Sequence, residues 1–460
     1  EIIVSIGYGV TMTDKKSFKI DAAKCSHGSQ PEAVAAFLAR PAIDRQAEEK
    51  AAAVLNAVRL EGDEAVIRFA RELDSAQLTP ETMAVSQQEL NEARDMVENA
   101  FTVAAREVHK RVLAFARAGM KKNWVMSSPK GGILGEQFTP LDRVGVYIPG
   151  GQAPLVSTAL MTATLAKAAG VPEIVACSPA GASGRLNHHL LVALEMAGAT
   201  EIYRIGGIQA IGAMAYGTRT IRKVRKIVGP GGQYVTAAKR LVYGEVALDL
   251  VAGPSEIAVL ADDSAAPEAV AADLLSQAEH GTGFEKALLV TTSERLAAAV
   301  MEELPRQAAQ LGRAQAVRKV LEQGTLLVTV NTLDDGMELC NLFAPEHLEI
   351  IVKEPRSWLK KVKNAGAVFA GSWSPECAGD YVAGPSHVLP TGGTAAMFSG
   401  LTVDDFLKRT SVISFTRADL INTLDIIRTI GGTEGMDAHV RSAQVRFQGG
   451  RPEEETGRRG

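Results

Sequence analysis

Gln277 and His280 stand three residues apart in the stretch Leu274-Leu275-Ser276-Gln277-Ala278-Glu279-His280-Gly281, which continues the Ala/Leu spacing of 267–273 and stops at Gly281 and Gly283. At helical spacing the two share one face near a C-terminal end. An amide oxygen beside a neutral imidazole supplies half of a metal site that leaves room for a substrate. A solvated Gln before a capping His explains the same pair, so the rest of the chain has to decide. Pro345-Glu346-His347 precedes the apolar run Leu348-Glu349-Ile350-Ile351. A carboxylate next to an imidazole gives two proton acceptors of different basicity, as a reaction that removes protons more than once requires; a His packed at a loop is the plainer reading. Gly379-Asp380-Tyr381 places a carboxylate, a hard ligand or an Asx turn, in a loop dense with Gly, Pro and Ser. Glu434 lies five residues before His439, at the start of a late helix, where an N-cap and a solvated His would look the same. Together Gln277, His280, Asp380 and His439 form a thiol-free N/O set compatible with zinc or a similar ion. His27, His109, His188 and His189 sit in polar helical or capping surroundings.

At 460 residues, with 46% hydrophobic and 22% charged residues, the chain predicts two or three globular domains. A net charge of −4 with scattered basic residues argues against a nucleic-acid partner. Cys25, Cys177, Cys340 and Cys377 form no CxxC pair, which suits reduced thiols in the cytoplasm. No stretch reads as a membrane span, since the most apolar region, 144–179, is interrupted by Gly, Pro, Lys167 and Glu173. The first residues lack a basic n-region and do not read as a signal peptide. Met12 is a candidate start, which makes 1–11 an extension of no assigned role, and 448–460 has the composition of a disordered tail.

The elements that would position these residues follow from periodicity. Residues 12–142 read as a helical N-terminal region, expected to pack on the second of two α/β domains; Ser86-Gln87-Gln88-Glu89 is a capping box opening a long helix through Val97 and Phe101 to Val108. From 143 to 252, apolar runs at 144–148, 174–177, 202–204 and 226–228 alternate with helical stretches at 157–169, 187–197 and 208–216, a parallel-sheet pattern. Its strands end in Pro149-Gly150-Gly151, Gly206-Gly207 and Gly229-Pro230-Gly231-Gly232, and ligands sit at the carboxyl ends of such strands. No G-x-G-x-x-G follows a strand, so a standard dinucleotide fingerprint is absent. A second alternating series, 253–400, has strands expected at 257–260, 287–292, 325–330, 348–352 and 367–370. A smaller unit, 401–447, holds a short helix, a strand near 411–416 and another helix.

These stretches resemble the histidinol dehydrogenases from about Leu55 to Val445. The resemblance rests on 142–151, on 203–211, on Ala252-Gly253-Pro254-Ser255-Glu256, on 276–281, on Ala344-Pro345-Glu346-His347-Leu348-Glu349, on Gly379-Asp380-Tyr381 with His387-Val388-Leu389-Pro390-Thr391, and on 434–439. It implies two tandem Rossmann-like parallel-sheet domains with small helical terminal units. It implies oxidation of L-histidinol to L-histidine, the last step of histidine biosynthesis, in two NAD-dependent steps through the aldehyde. By the same resemblance Gln277, His280, Asp380 and His439 would bind one zinc per subunit, which holds the substrate's imidazole as a template. His347 would be the base for the alcohol step and Glu346 would activate water. Ser157, Ser255, Tyr381, His387 and Glu434 would join the four ligands and His347 in contacting substrate, and Tyr147, Gln209 and Gly232 would meet NAD. The family's intertwined homodimer would donate His439 in trans and contribute a dimer contact from the 401–447 unit. Gly232 stands where the family usually has Asn, Ser386 replaces the usual Asn before His387, and Gly283-Phe284-Glu285-Lys286 departs from the pattern after His280. The alternatives are a paralogue acting on another primary alcohol, such as an amino alcohol or a sulfonated diol, and a non-catalytic metal-binding α/β protein. Glu434 and the lack of Arg in the matched motifs favour a substrate with a cationic amine over a sulfonate.

Overall fold

A computed structural model describes residues 20–25, 31–39, 45–150, 154–250, 253–280 and 283–448. The expectations for 1–11, for the tail beyond 448, and for His27, Gly151, Ala252 and Gly281 lie outside the described residues. The chain forms two compact units: 1–120 with 141–406, and 121–140 with the chain from Leu407 on.

In the first unit, β1 (Asp21–Cys25) and α1 (Glu32–Leu38) are followed by five helices: α2 (Arg45–Glu61), α3 (Asp63–Asp74), α4 (Pro80–Met83), α5 (Gln87–Met96) and α6 (Asn99–Gly119). The capping box forms as the sequence predicts, with Ser86 N–H donating to Glu89 Oε2 at 3.0 Å and Glu89 N–H to Ser86 Oγ at 3.2 Å. The long helix does not: the chain turns extended at Val97 and Glu98, and a second helix starts at Asn99. Nor do most of these helices pack on the second α/β domain. Ala47, Ala51, Val54, Leu55 and Val58 of α2 recur every three or four residues, and that stripe joins Ile208 and Ile211 in the first domain's core. Instead β1 and α1 join the second domain, β1 pairing in parallel with β11 (Thr325–Val330).

The second unit begins with β2 (Trp124–Ser127) and β3 (Ile133–Pro140). Residues 121–140 are not part of the helical region that the sequence suggests, because these two strands join β14 (Leu407–Ser414), the strand expected near 411–416, in an antiparallel sheet ordered β14-β3-β2. Sequence periodicity could not show it, since β3 finds its main partner far along the chain. Asp419 locks this pairing by accepting from Ser128 Oγ at 2.6 Å and from Gly132 N–H at 3.0 Å. Helices α17 (Arg417–Thr433) and α18 (Asp437–Gln444) complete the unit.

The first α/β domain runs β4 (Arg143–Tyr147), α7 (Val156–Ala169), β5 (Glu173–Cys177), α8 (His188–Ala197), β6 (Glu201–Tyr203), α9 (Gly207–Tyr216), β7 (Lys226–Val228), α10 (Gln233–Leu241) and β8 (Ala247–Leu248). Its all-parallel sheet is ordered β6-β5-β4-β7-β8. The second runs β9 (Glu256–Ala261), α11 (Pro267–Ala278), β10 (Lys286–Thr291), α12 (Glu294–Ala308), α13 (Ala314–Gln323), β11, α14 (Leu333–Phe343), β12 (His347–Ile351), α15 (Pro355–Trp358), β13 (Ala367–Ala370) and α16 (Glu376–Tyr381). Its sheet is ordered β1-β11-β10-β9-β12-β13. Without the added β1 both sheets have the same doubly wound order, in which the third, second, first, fourth and fifth strands lie side by side. β9 is buried at every residue, as expected of a parallel strand covered on both faces, and each fully buried Val, Ile or Leu contributes about 1.5–3 kcal/mol.

Candidate active site

Helix α11 presents its end to the site because of its own periodicity. Val270, Ala271, Leu274, Leu275 and Ala278 are buried in the core, and Gln277, three residues after Leu274, is carried inward with them until none of it is exposed. Its Nε2 lies 3.3 Å from Nδ1 of His280, which follows the helix at the surface. The neighbouring strand is delivered by a left-handed residue, Ala344, with φ of +47° at the end of α14. That conformation is uncommon for a residue with a Cβ, and it turns the chain so that Glu346 and His347 open β12.

His347 is 3% exposed and pairs across the sheet with Ile257 and Ala367. The site therefore sits at the amino ends of β9, β12 and β13, the opposite edge from the one where the glycine turns of the first domain fall. His347 Nδ1 lies 3.2 Å from Glu256 O and 3.0 Å from Gln277 Oε1. Two acceptors at one nitrogen assign the hydrogen to Nδ1 and leave Nε2 with its lone pair. Nε2 is buried without a hydrogen-bond partner, 4.0 Å from Glu376 Oε1, which is likewise unpartnered. Burial, reinforced by His280, pushes the His347 imidazole down to about 3, so it stands neutral with a free acceptor.

Glu346 accepts Glu256 N–H at 3.1 Å, and the same oxygen lies 3.8 Å from His347 Nδ1. Burial holds its carboxyl well above the ordinary carboxylate range, with Asp380 and Glu376 adding to the shift. Glu376 opens α16 and accepts from Ser276 Oγ at 2.5 Å; burial first, then Asp380, raise it to about 7. Asp380, one turn further on, is raised by burial and lowered by His280. His387 is held by Asp380 O at 3.1 Å and by Thr158 Oγ1 at 3.2 Å, and burial pushes it down to about 4. Thr158 lies at the start of α7, so His387 joins the carboxyl edge of the first sheet to the loop that follows α16. A cavity of about 650 Å³ is lined by His347, Asp380 and His387 together with Phe115, Phe369 and Trp373.

His347, Glu376 and Asp380 bring one ligand atom each within 4.8 Å of one another. Carboxyls pushed up, imidazoles pushed down and two unpartnered buried acceptors form a site that lacks positive charge, and a bound cation reverses that balance. The donor set is N/O and fits zinc. Of the four ligands the sequence suggests, Gln277, His280 and Asp380 belong to this unit. His439, on α18, and Glu434, at the end of α17, are exposed residues of the other unit. Glu376 was not among the candidates, although its place four residues before Asp380 is the signal that could have found it. Of the remaining substrate candidates, Ser157 is half-buried beside Thr158, Ser255 half-buried just before β9, and Tyr381 exposed at the end of α16.

The cofactor candidates lie around the first domain's glycine turns. Tyr147 OH accepts Gly207 N–H at 3.0 Å, and the fully buried Gln209 donates from Nε2 to Asp74 Oδ2 at 2.9 Å while its Oε1 has no partner. Gly229 has φ of +113°, and a Cβ there would come within 2.2 Å of Tyr147 O. Gly232 precedes α10 as an N-cap with no side-chain cap and open space beside its Cα. The first N–H groups of α10 are thus left to an outside acceptor such as a phosphate.

The histidinol dehydrogenase family model matches residues 39–447. Histidinol dehydrogenase of Heliobacterium mobile is 44% identical over 405 residues, covering 88% of this chain and 95% of its own length. That of Symbiobacterium thermophilum is 43% identical over 422 residues, covering 91% and 95%. A solved histidinol dehydrogenase from Elizabethkingia anophelis superposes with a TM-score of 0.86 at 35% identity, over 92% of this chain and 98% of that one. The doubly wound pair of sheets, the neutral buried His347 beside Glu346, and matches running nearly end to end agree: the chain is an oxidoreductase and belongs to the histidinol dehydrogenase family.

Proposed function

We propose that the chain oxidises L-histidinol to L-histidine through L-histidinaldehyde, as the last step of histidine biosynthesis in the cytoplasm. The observation that carries this reading is His347, neutral with a bare, buried Nε2, next to a proton-avid Glu346 in a family of histidinol dehydrogenases. His347 Nε2 takes the hydroxyl proton of the alcohol. Its Nδ1–H stays fixed on Glu256 O and Gln277 Oε1, so the acceptor nitrogen keeps its aim. Glu346, in the ionised form that a cation in the site would favour, takes a proton from the water that adds to the aldehyde. Bound NAD would supply the hydride acceptor that each of the two oxidations needs. Tyr147, Gln209 and Gly232 would hold it, with the free N–H groups of α10 suited to its diphosphate.

One zinc per subunit would supply charge and a template for the substrate's imidazole. Gln277, His280 and Asp380 would hold it with His439 of the partner subunit, and Glu376 stands within reach of the same cluster. Ser157, Ser255, Tyr381 and His387 would line the substrate, and Glu434 would pair with its amine. The dimer is supported by the apolar surface of the second unit, where Ile413, Ile421, Ile426, Ile430 and Met436 are exposed. No helix among the described residues is long and apolar enough to cross a membrane.

The test is a screen of primary alcohols that follows NADH formation with and without a chelator. Two NADH per L-histidinol, lost on chelation and restored by zinc, is the expected result. Turnover of another amino alcohol in its place would redirect the assignment of substrate.

A further inference from the structure

Three acidic residues lie one structural repeat behind the residues of the site. Asp273 precedes Gln277 by four on α11, and Glu376 precedes Asp380 by four on α16, each a single helical turn. Glu349 follows His347 by two on β12 and so points to the same face of the sheet. These three meet. Glu349 Oε1 accepts Glu376 N–H at 2.7 Å, and the Asp273 carboxyl stands against that of Glu349. Ser276 Oγ closes the set, 2.7 Å from Asp273 O and 2.5 Å from Glu376 Oε2.

Glu349 is the centre of this layer and is wholly buried, on a strand whose other residues after His347 are Leu348, Ile350 and Ile351. A carboxyl in such a place calls for a specific partner. Helix α16 is six residues long and begins after Pro375, which offers no side-chain cap. So short a helix does not hold itself, and the acceptor for its first N–H comes from the strand that carries His347.

We infer that Glu349 is a positioning residue: through Glu376 N–H and Asp273 it keeps α16 and α11 in register with β12, so that Asp380, Gln277 and His347 stay converged. This rests on the reading that those three serve the metal and the proton transfers. The test compares full-length Glu349→Ala and Glu349→Gln. Hydrogen exchange across 371–383 in metal-free protein reports how α16 is docked, and zinc retention against a chelator and steady-state kinetics report the site. Glu349→Ala should lose protection at the start of α16 and fall roughly 10–100-fold in zinc affinity and kcat, with KM for NAD unchanged. Glu349→Gln keeps an acceptor for Glu376 N–H at the same place and size, and should stay close to the unsubstituted protein in all three readouts.

Unchanged exchange and zinc retention in Glu349→Ala would overturn the proposal, as would equal damage in Glu349→Gln, which keeps the acceptor for Glu376 N–H. If Glu349→Ala does not fold, Asp273→Ala, at the half-buried end of the layer, should loosen α16 in the same direction, and unaltered exchange there counts against the idea. A native protein that makes no NADH from L-histidinol would remove the functional reading, while the exchange measurements still judge the positioning role.

Discussion

At the scale of single residues, the site is a contest between burial and charge. His347 and Glu346 are adjacent, yet burial drives one towards neutrality by lowering its pKa and the other by raising it. Replacing His347 with Ala should lower kcat by roughly 10²–10⁴-fold, the usual worth of a positioned proton acceptor; NADH production at an unchanged rate would remove it from that role. Glu376 gives a pH prediction. Its folded value of about 7 lies above the ordinary 4.5, so its contribution to stability is full below pH 4.5 and is lost as pH rises through 7. A cation offsets that loss, because it favours the ionised carboxylate. Saturating zinc should therefore raise Tm more at pH 8 than at pH 5, and equal shifts would place the carboxylates outside the cation site. Metal affinity also ranks the ligands: Glu376→Gln and His439→Ala, followed by chelator competition, show whether the cluster His347–Glu376–Asp380 or the set completed by His439 dominates. The pair at 277 and 280 and the Glu346-His347 dipeptide were legible in the sequence because neighbours on one element stay neighbours in space. Glu376 is marked there only by its place four residues before Asp380, because what it meets belongs to a strand about thirty residues earlier in the chain.

At the scale of elements, the first domain holds its third glycine turn with a buried ion pair. Lys239 on α10 donates to Asp249 Oδ1 at 2.5 Å and to Gly229 O at 2.9 Å, while Gly229 N–H donates to Asp249 Oδ2 at 2.7 Å. Lysine and aspartate are almost completely buried. Removing one partner strands the other charge, so Lys239→Met should cost about 3–5 kcal/mol in denaturant unfolding. It should also raise KM for NAD more than it lowers kcat, because the turn, not the proton acceptors, is released. A KM for NAD that does not move would separate this turn from cofactor binding. The strands and helices that periodicity predicts in both α/β domains fall within a residue or two of their observed bounds, since burial on both faces imposes continuous apolar runs. Helix α10 and the two-residue β8 are not among those predicted. The break at Val97-Glu98 is not legible in the sequence because apolar spacing continues across it, and only backbone conformation records it.

At the scale of the whole molecule, the second unit leaves a large apolar surface uncovered. Trp124, Val125, Met126 and Ile133 are exposed there along with the isoleucines of β14 and α17, more than a chain acting alone usually shows. Light scattering should give twice the mass of one chain. If His439 serves the partner's site, mixing inactive His347→Ala and His439→Ala chains should restore roughly a quarter of the original activity, since half of the random dimers then carry one intact site of their two. No recovery on mixing refolded chains would place His439 in its own subunit's site.

The sequence by itself determined the local matter: two alternating α/β series, the glycine turns that end their strands, the capping box at Ser86, and the clusters able to bind a metal or move protons. All of these depend on residues within a few positions of each other, where spacing and side-chain chemistry suffice. The tertiary structure decided what depends on distant pairing. It placed α2 against the first domain, built an antiparallel sheet from strands at 124–140 and 407–414, far apart in the chain, and set the site at the amino edge of the second sheet. It also placed Glu349 and Asp273 behind that site. Those outcomes follow from which buried faces and carboxyls meet across the fold, and a linear pattern carries no record of that.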